Sequence, residues 1–229
     1  MNPVILLLFL ALDPVAFGPG GRFHLEQSKD DFGTRSHGII EDLGSGRTKL
    51  YALPQSTAQD YFRLRPDDLK RNAFTPEGYD RQEAIGPYQI EEGRIWFGKT
   101  FYDSEGMRGV GAFGYFDASA RAYTLFSPPE VAACEVSAIL VQPKWVWVAL
   151  DHFIEDISTF PCGLVRWDKT THQIKSYPLE FVVESIRAEG DSLRLKTRGG
   201  YALLRDRVVR RFLDDHRPIA KFPPPPSHY

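Results

Sequence analysis

Residues 163–179 read GLVRWDKTTHQIKSYPL, and residues 112–128 read AFGYFDASARAYTLFSP. The two stretches align without a gap when Asp168 is placed on Asp117. A third and fainter copy, GIIEDLGSGRTKLYALP, covers residues 38–54. Each copy is a strand-like run, a short polar turn and a second strand-like run, which is typical of a β-hairpin. The chain therefore predicts a repeated unit built from antiparallel strands.

Further strand-like runs flank these copies and complete the repeat. With them, each unit holds four antiparallel strands over roughly 40 to 50 residues, which is typical of a β-propeller blade. We therefore predict an all-β protein, a β-propeller of four-stranded antiparallel blades with about four to five blades evident. The predicted propeller covers residues 14–213, with blades at 14–54, 87–128, 134–180 and 181–213.

Two segments lie outside the repeat. Residues 55–86 form a long polar insertion between the first two blades, and an insertion of this length is usually functional or mobile. Residues 214–229 form a tail that ends in PPPPSHY. Four consecutive prolines favour an extended polyproline segment, so the tail is either a disordered end or a docking motif.

The overall composition excludes some classes of partner. The chain has 229 residues, a formal net charge of -2 and a pI near 6.3. These values give no electrostatic reason to expect binding to nucleic acid. After the N-terminus, no stretch approaches the roughly 20 apolar residues that a membrane span requires. We therefore predict no nucleic-acid partner and no transmembrane span beyond the N-terminus.

The N-terminus carries the apolar run Val4 to Leu12, which has the length of a signal-peptide core. On this interpretation residues 1–18 are a signal peptide and the protein is secreted or periplasmic. However, no Lys or Arg precedes the run, and Asp13 follows it closely. The alternative is a cytoplasmic protein in which these residues form a buried strand of the first repeat.

Three phrases resemble the repeats of known propellers. IWFG (95–98), GVGAFGYFDASARAYTLF (109–126) and GLVRWDKTTHQIKSYPL (163–179) are similar to repeats of streptogramin lyase-like proteins and of the sensor propellers of two-component regulators. The lyase-like family implies an active site at one end of a central channel, with a His and a bound divalent cation. No position here matches that catalytic motif, so no catalytic residue is carried over.

In a propeller, the loops between second and third strands share one face, and three such loops in this chain are acidic. The candidate ligand-binding residues on this face are Asp103, Glu105, Asp151, Glu155 and Asp156. Their carboxylates suit Ca²⁺ or Mg²⁺. His152 lies among them and is the candidate catalytic residue, because a neighbouring carboxylate raises the pKa of a histidine base. The alternative is an ordinary solvated loop surface.

These observations favour a non-catalytic binding or scaffold module whose partner, a protein or a small molecule, contacts the acidic loop face. The alternative is a lyase or hydrolase that uses a divalent cation and a His on the same face. Asp42, Asp117 and Asp168 lie at turns of the opposite face, where we expect them to cap the turns.

The two cysteines, Cys134 and Cys162, precede strands that lie two apart in the predicted third blade. Regular strand spacing would separate the two residues by roughly 10 Å, which exceeds the reach of a disulfide. Both residues lie in flanking loops that can close this gap. A disulfide and two reduced thiols therefore both remain open.

Overall fold

The computed structural model describes residues 21–30, 33–64, 80–81, 83–101, 107–154, 158–206 and 208–213. Most of these residues are in strands. In chain order, the strands are β1 (Phe23–Leu25), β2 (Ser28–Asp30), β3 (Gly33–Arg35), β4 (Gly38–Gly44), β5 (Arg47–Ala52), β6 (Asp80–Arg81), β7 (Ala84–Glu91), β8 (Arg94–Thr100), β9 (Met107–Arg108), β10 (Phe113–Asp117), β11 (Ala122–Phe126), β12 (Glu135–Val141), β13 (Trp145–Ile154), β14 (Ser158–Asp168), β15 (Ile174–Tyr177), β16 (Ser185–Glu189), β17 (Ser192–Thr197), β18 (Gly200–Arg205) and β19 (Val208–Leu213). The helices are α1 (Ala58–Leu64) and α2 (Pro129–Ala132).

These strands form separate small sheets, and all but one of these described sheets are antiparallel. The first sheet has three strands in the order β1-β4-β5. The second (β11-β10-β8-β7), third (β12-β13-β14-β15) and fourth (β16-β17-β18-β19) sheets have four strands each. Two further sheets, β2-β3 and β6-β9, have two strands each, and the β6-β9 pair is parallel.

The all-β prediction is confirmed, but the β-propeller prediction is wrong. In the described ranges the strands form separate sheets of two to four strands, and no sheet or ring of sheets closes. The physical reason lies in what the repeat encodes. Its alternation and turns determine pairing between neighbouring strands, whereas closure depends on packing between distant sheets. The predicted signal peptide (1–18), half of the insertion and the Pro-rich tail lie outside the described residues.

Apolar layers separate the successive large sheets. Phe23 of the first sheet packs with Phe97 and Phe116 of the second. Trp96 of the second sheet lies 6.1 Å, ring centroid to ring centroid, from Trp167 of the third. The side chains of Trp147 and Leu164 share a further layer with Leu195 and Leu204 of the fourth sheet. Burial of these layers is the main source of stability for a fold of this kind.

The repeated phrases form β-hairpins, and their shared aspartates hold the turns. Asp117 accepts hydrogen bonds from the backbone N–H groups of Ser119 and Ala120, at 3.0 Å each. Asp168 accepts from the N–H groups of the two residues at the start of its turn, at 2.8 and 2.9 Å. Asp42 accepts from the N–H of Gly44 at 2.8 Å. The prediction that these three aspartates cap turns is confirmed.

The second and third sheets approach each other closely at Gly98. A Cβ atom at this position would lie 2.2 Å from Cγ1 of Val136, which no side chain tolerates. The absence of a side chain at Gly98 therefore lets the start of β12 lie against the end of β8. This approach positions the residues that line the cleft described below.

A buried ion pair joins the described ends of the insertion to the second sheet. Lys99 lies in β8, and its Nζ is 2.5 Å from Oε2 of Glu83. Glu83 is 0 % exposed and Lys99 2 % exposed. Two buried charges are stable only when their remaining hydrogen-bonding capacity is also satisfied.

The surrounding backbone supplies those further partners. Glu83 accepts from the N–H of Ser56 at 2.9 Å and from the N–H of Val110 at 2.8 Å. Lys99 also donates to the carbonyl oxygen of Pro54 at 2.7 Å. The pair thus connects the segment after β5, the segment before β7, strand β8 and the segment before β10.

Substitution of Lys99 by methionine should destabilise the protein strongly. The change leaves the Glu83 carboxylate buried without its cation, which costs about 3–5 kcal/mol in the free energy of unfolding. The matched control is Lys196→Met, which removes an exposed ion pair with Glu184 at 3.1 Å and should cost less than about 1 kcal/mol. Urea denaturation of both variants measures the difference, and equal losses would contradict the assigned role of the pair.

Candidate functional site

A cleft of about 390 Å³ opens between the end of β8, the start of β12 and the C-terminal half of β13. Most of the side chains around it are polar or charged. The residues that matter below are Arg35, Thr100, Phe101, Glu135, Ser137, Asp151 and Thr159. We call this feature the carboxylate cleft, because Glu135 and Asp151 are its two carboxylates. Its volume is within the range of small-molecule sites.

Glu135, the first residue of β12, is the cross-strand partner of Asp151 in β13. Partners of this kind project to the same side of the sheet, with Cβ atoms about 4.5–5.5 Å apart. A β-bulge at Ser137 creates this pairing, because the register of β12 against β13 shifts by one residue between Val136 and Ala138. Bulges of this type re-aim side chains and are frequent beside functional sites.

The two carboxyls of the cleft are poorly compensated. Asp151 is only 7 % exposed, and in the described part of the chain no donor forms a hydrogen bond with its carboxylate. Glu135 accepts one long hydrogen bond, 3.4 Å, from the backbone N–H of Phe101. Burial raises the pKa of Asp151 to about 6. Burial, together with the charge of Asp151, raises the pKa of Glu135 to about 7, and Arg35 opposes this rise.

A disulfide joins Cys134 to Cys162 beside this pair. Cys134 directly precedes Glu135, and Cys162 directly follows Pro161, which pairs with Asp151. The bond therefore links β12 to β14 across β13 at the level of the cleft. The Cα atoms are 6.6 Å apart, closer than regular strand spacing predicts. A register shift between Leu150 and Asp151 lies at this level of the β13–β14 pairing.

The structure separates the residues that the sequence grouped on one acidic face. Asp151 lines the cleft, whereas Asp103, Glu105, Glu155 and Asp156 lie outside the described residues. His152 is half-buried in β13, opposite Phe160. As the strand residue after Asp151, it projects to the other side of the sheet. A role for His152 in catalysis and the assignment of the four undescribed acids to a ligand site stay predictions.

The proposed Ca²⁺ or Mg²⁺ site also stays a prediction. Within the described ranges, no group of three or more His, Cys, Asp or Glu side chains is arranged to hold a metal ion.

The same ranges contain no helix with the length and apolarity needed to cross a membrane.

Sequence reasoning missed Glu135, Arg35 and Ser137. Glu135 carries a weak signal, because it is a lone acid between a cysteine and the apolar run of β12. Its partner was not predictable from the length of the hairpin. Counting back from the Val141–Val146 pair without a bulge would place Glu135 opposite His152.

Comparisons with known proteins find a similar solved structure but no matching family. No protein-family model matches the chain, and no curated protein matches it either. Among solved structures, the chain is similar to the extracellular domain of a one-component system from B. thetaiotaomicron, with 9% sequence identity and a TM-score of 0.40. The match covers 84% of this chain and 27% of that one.

The carboxylate cleft should make stability depend on pH. Folding raises the pKa of both carboxyls above their ordinary values, so it favours their protonated forms. Their stabilising contribution is complete below about pH 4 and is lost as the pH rises through about 6 to 7. The free energy of unfolding of Asp151→Asn should therefore equal that of the parent near pH 4. At pH 7.5 it should be higher than that of the parent by about 1–3 kcal/mol.

Urea denaturation at both pH values tests this expectation. The control is Asp191→Asn, because the Asp191 side chain is 89% exposed and lies on the fourth sheet. This variant should follow the parent at both pH values. A difference between Asp151→Asn and the parent that does not change with pH would contradict the assignment.

Loss of the disulfide should destabilise the protein by about 2–4 kcal/mol, because the bond closes a loop with a sequence separation of 28 residues. The double variant Cys134→Ser/Cys162→Ser should unfold at lower urea concentration than the oxidised parent. Reductant should lower the urea midpoint of the parent to that of the double variant. It should not change the urea midpoint of the double variant. Two free thiols in the unreduced, denatured parent would refute the bond.

Proposed function

We propose that this chain is a non-catalytic binding module that holds a small-molecule ligand in the carboxylate cleft. The observation that carries the proposal is Asp151, a carboxylate that is more than nine-tenths buried and faces the cleft without a hydrogen-bond donor in the described chain. A buried acceptor without a donor is costly, so its partner is expected to come from the cleft.

The other buried carboxylates of the molecule support this interpretation by contrast. Glu83 has Lys99 and two backbone N–H groups as partners. Glu41 is 1 % exposed and accepts hydrogen bonds from Arg22, Arg121 and the hydroxyl of Tyr51. The chain thus satisfies its other fully buried acids internally and leaves the cleft pair open.

The pKa values of the pair do not assign one carboxyl as a catalytic acid and the other as a catalytic base. In acid–base enzymes, the environment pushes the pKa values of two catalytic carboxyls apart, so that one is protonated and the other ionised. Here burial raises the pKa of both groups, to about 7 for Glu135 and about 6 for Asp151. His152, the predicted base, belongs to the opposite side of the sheet.

The disulfide supports the predicted export. Disulfides persist in secreted and periplasmic proteins and are rare in the cytosol of most organisms. Cys134 and Cys162 are bonded to each other, and the described chain holds no other cysteine. A secreted or periplasmic location therefore remains our proposal for the protein.

A fragment screen tests the proposed function. Cationic, neutral, zwitterionic and anionic fragments would be added separately to the parent, Asp151→Asn and Asp191→Asn at pH 7.5, and the melting temperature measured. A ligand that binds only the folded state at 100 times its Kd stabilises it by about 2.7 kcal/mol. We expect at least one chemical class to stabilise the parent and Asp191→Asn but not Asp151→Asn.

Two results would count against the proposal. No stabilising fragment in any class would mean that the cleft is not a binding site. Fragments that stabilise Asp151→Asn as much as the parent would place binding elsewhere on the molecule.

A further inference from the structure

The chemistry of the carboxylate cleft specifies the charge of its ligand. When both carboxyls are ionised, Glu135 and Asp151 contribute two negative charges and Arg35 one positive charge. The described residues of the cleft then carry a net charge of about one negative unit, which a ligand with one positive charge neutralises. Neutralisation matters here because both carboxyls are removed from water, where charges are otherwise well solvated.

Several hydrogen-bond acceptors converge on the same space. Besides the two carboxyls, Ser137 lines the cleft, and its hydroxyl oxygen is buried and has no hydrogen-bond partner in the described chain. Ser137 is the bulge residue, so the distortion that aligns Glu135 with Asp151 also supplies this hydroxyl. Three acceptors match the three N–H donors of a primary ammonium group.

An aromatic ring borders these acceptors. Phe101 lines the cleft and is itself buried, and a Cβ atom at Gly109 would lie 2.2 Å from its ring. The ring is therefore held closely by the backbone at Gly109. A fixed ring near an ammonium group attracts the cation and covers its alkyl chain.

A divalent metal ion fits these groups less well. Ca²⁺ takes six to eight oxygen ligands and Mg²⁺ requires a near-octahedral set. The described cleft offers two carboxyls and a few hydroxyls, and it holds the cation Arg35 as well. An organic ammonium ion needs fewer oxygen acceptors from the protein than a divalent metal ion, so these groups suit it better.

We propose that the carboxylate cleft binds a small aliphatic amine, whose ammonium group donates hydrogen bonds to Asp151, Glu135 and Ser137. This inference rests on the proposed binding function and adds the chemical class of the ligand.

Amine binding should be linked to proton release. Among the described residues, the charged groups that line the cleft with Asp151 are Glu135 from β12 and Arg35 from β3. The described Thr159 of β14, and Thr100 and Phe101 at the end of β8, are uncharged. In the free protein the raised pKa values leave both carboxyls largely protonated at pH 5. A bound ammonium group favours the ionised forms, so binding expels protons and strengthens as the pH rises to about 7.5.

The test is calorimetric titration of the whole chain with n-butylamine at pH 7.5 and pH 5.0. We expect binding at pH 7.5, at least about tenfold weaker binding at pH 5.0, and proton release seen as a dependence of the heat on the buffer. Asp151→Asn and Glu135→Gln should each weaken binding at pH 7.5 by about tenfold or more. Ser137→Ala should weaken it less, and Asp191→Asn should bind like the parent.

Matched probes separate failure of this inference from failure of the proposed function. n-Butanol has a similar shape without the charge, tetramethylammonium has the charge without N–H donors, and γ-aminobutyrate adds a carboxylate. If n-butanol or tetramethylammonium binds as tightly as n-butylamine and depends on Asp151, the binding function stands and the amine assignment is overturned. Tight binding of γ-aminobutyrate, which keeps the ammonium group, supports the amine assignment. If no amine, uncharged, zwitterionic or anionic probe binds, the proposed binding function and the amine assignment are both overturned.

Discussion

The arrangement of the second sheet depends on the buried ion pair between Glu83 and Lys99. Each charge loses its hydration on folding, a cost of several kcal/mol per ion. Four contacts offset that cost: the pair itself, the N–H groups of Ser56 and Val110, and the carbonyl of Pro54. These partners come from segments far apart in sequence, so the pair can form only when the segments are already in place. The interaction therefore specifies one arrangement of the chain rather than adding much net stability.

The same physical rule separates architecture from function in this molecule. A buried carboxylate must find a cation or hydrogen-bond donors. Glu83 and Glu41 find theirs within the chain, and both join segments that are distant in sequence. Asp151 finds none in the described chain and lies beside a cleft instead. Where the fold supplies the partner, the acid is structural; where a cleft replaces the partner, we infer a ligand.

The sequence predicts local structure here much better than long-range structure. Alternation and turn residues identify the hairpins of residues 112–128 and 163–179, and the turn-capping role of Asp117 follows from its position. The closed propeller fails because closure depends on packing between sheets, which a local repeat does not encode. The sequence identified Asp151 as an acid of a predicted loop, and the structure places it within β13. Its partner Glu135 was not identifiable, because a register shift that no turn residue announces decides which residue it meets.

The β-bulge at Ser137 makes the chemistry of the cleft a matter of strand register as much as of residue type. In the observed register, Glu135 faces Asp151, and the cleft presents two carboxyls to a ligand. If the same residues paired regularly from the Val141–Val146 pair, without the bulge, His152 would lie opposite Glu135. A carboxyl beside an imidazole is an acid–base pair rather than a cation site. A shift of one residue in strand register would thus exchange recognition for proton transfer at this edge of the sheet, with every chemically active side chain retained.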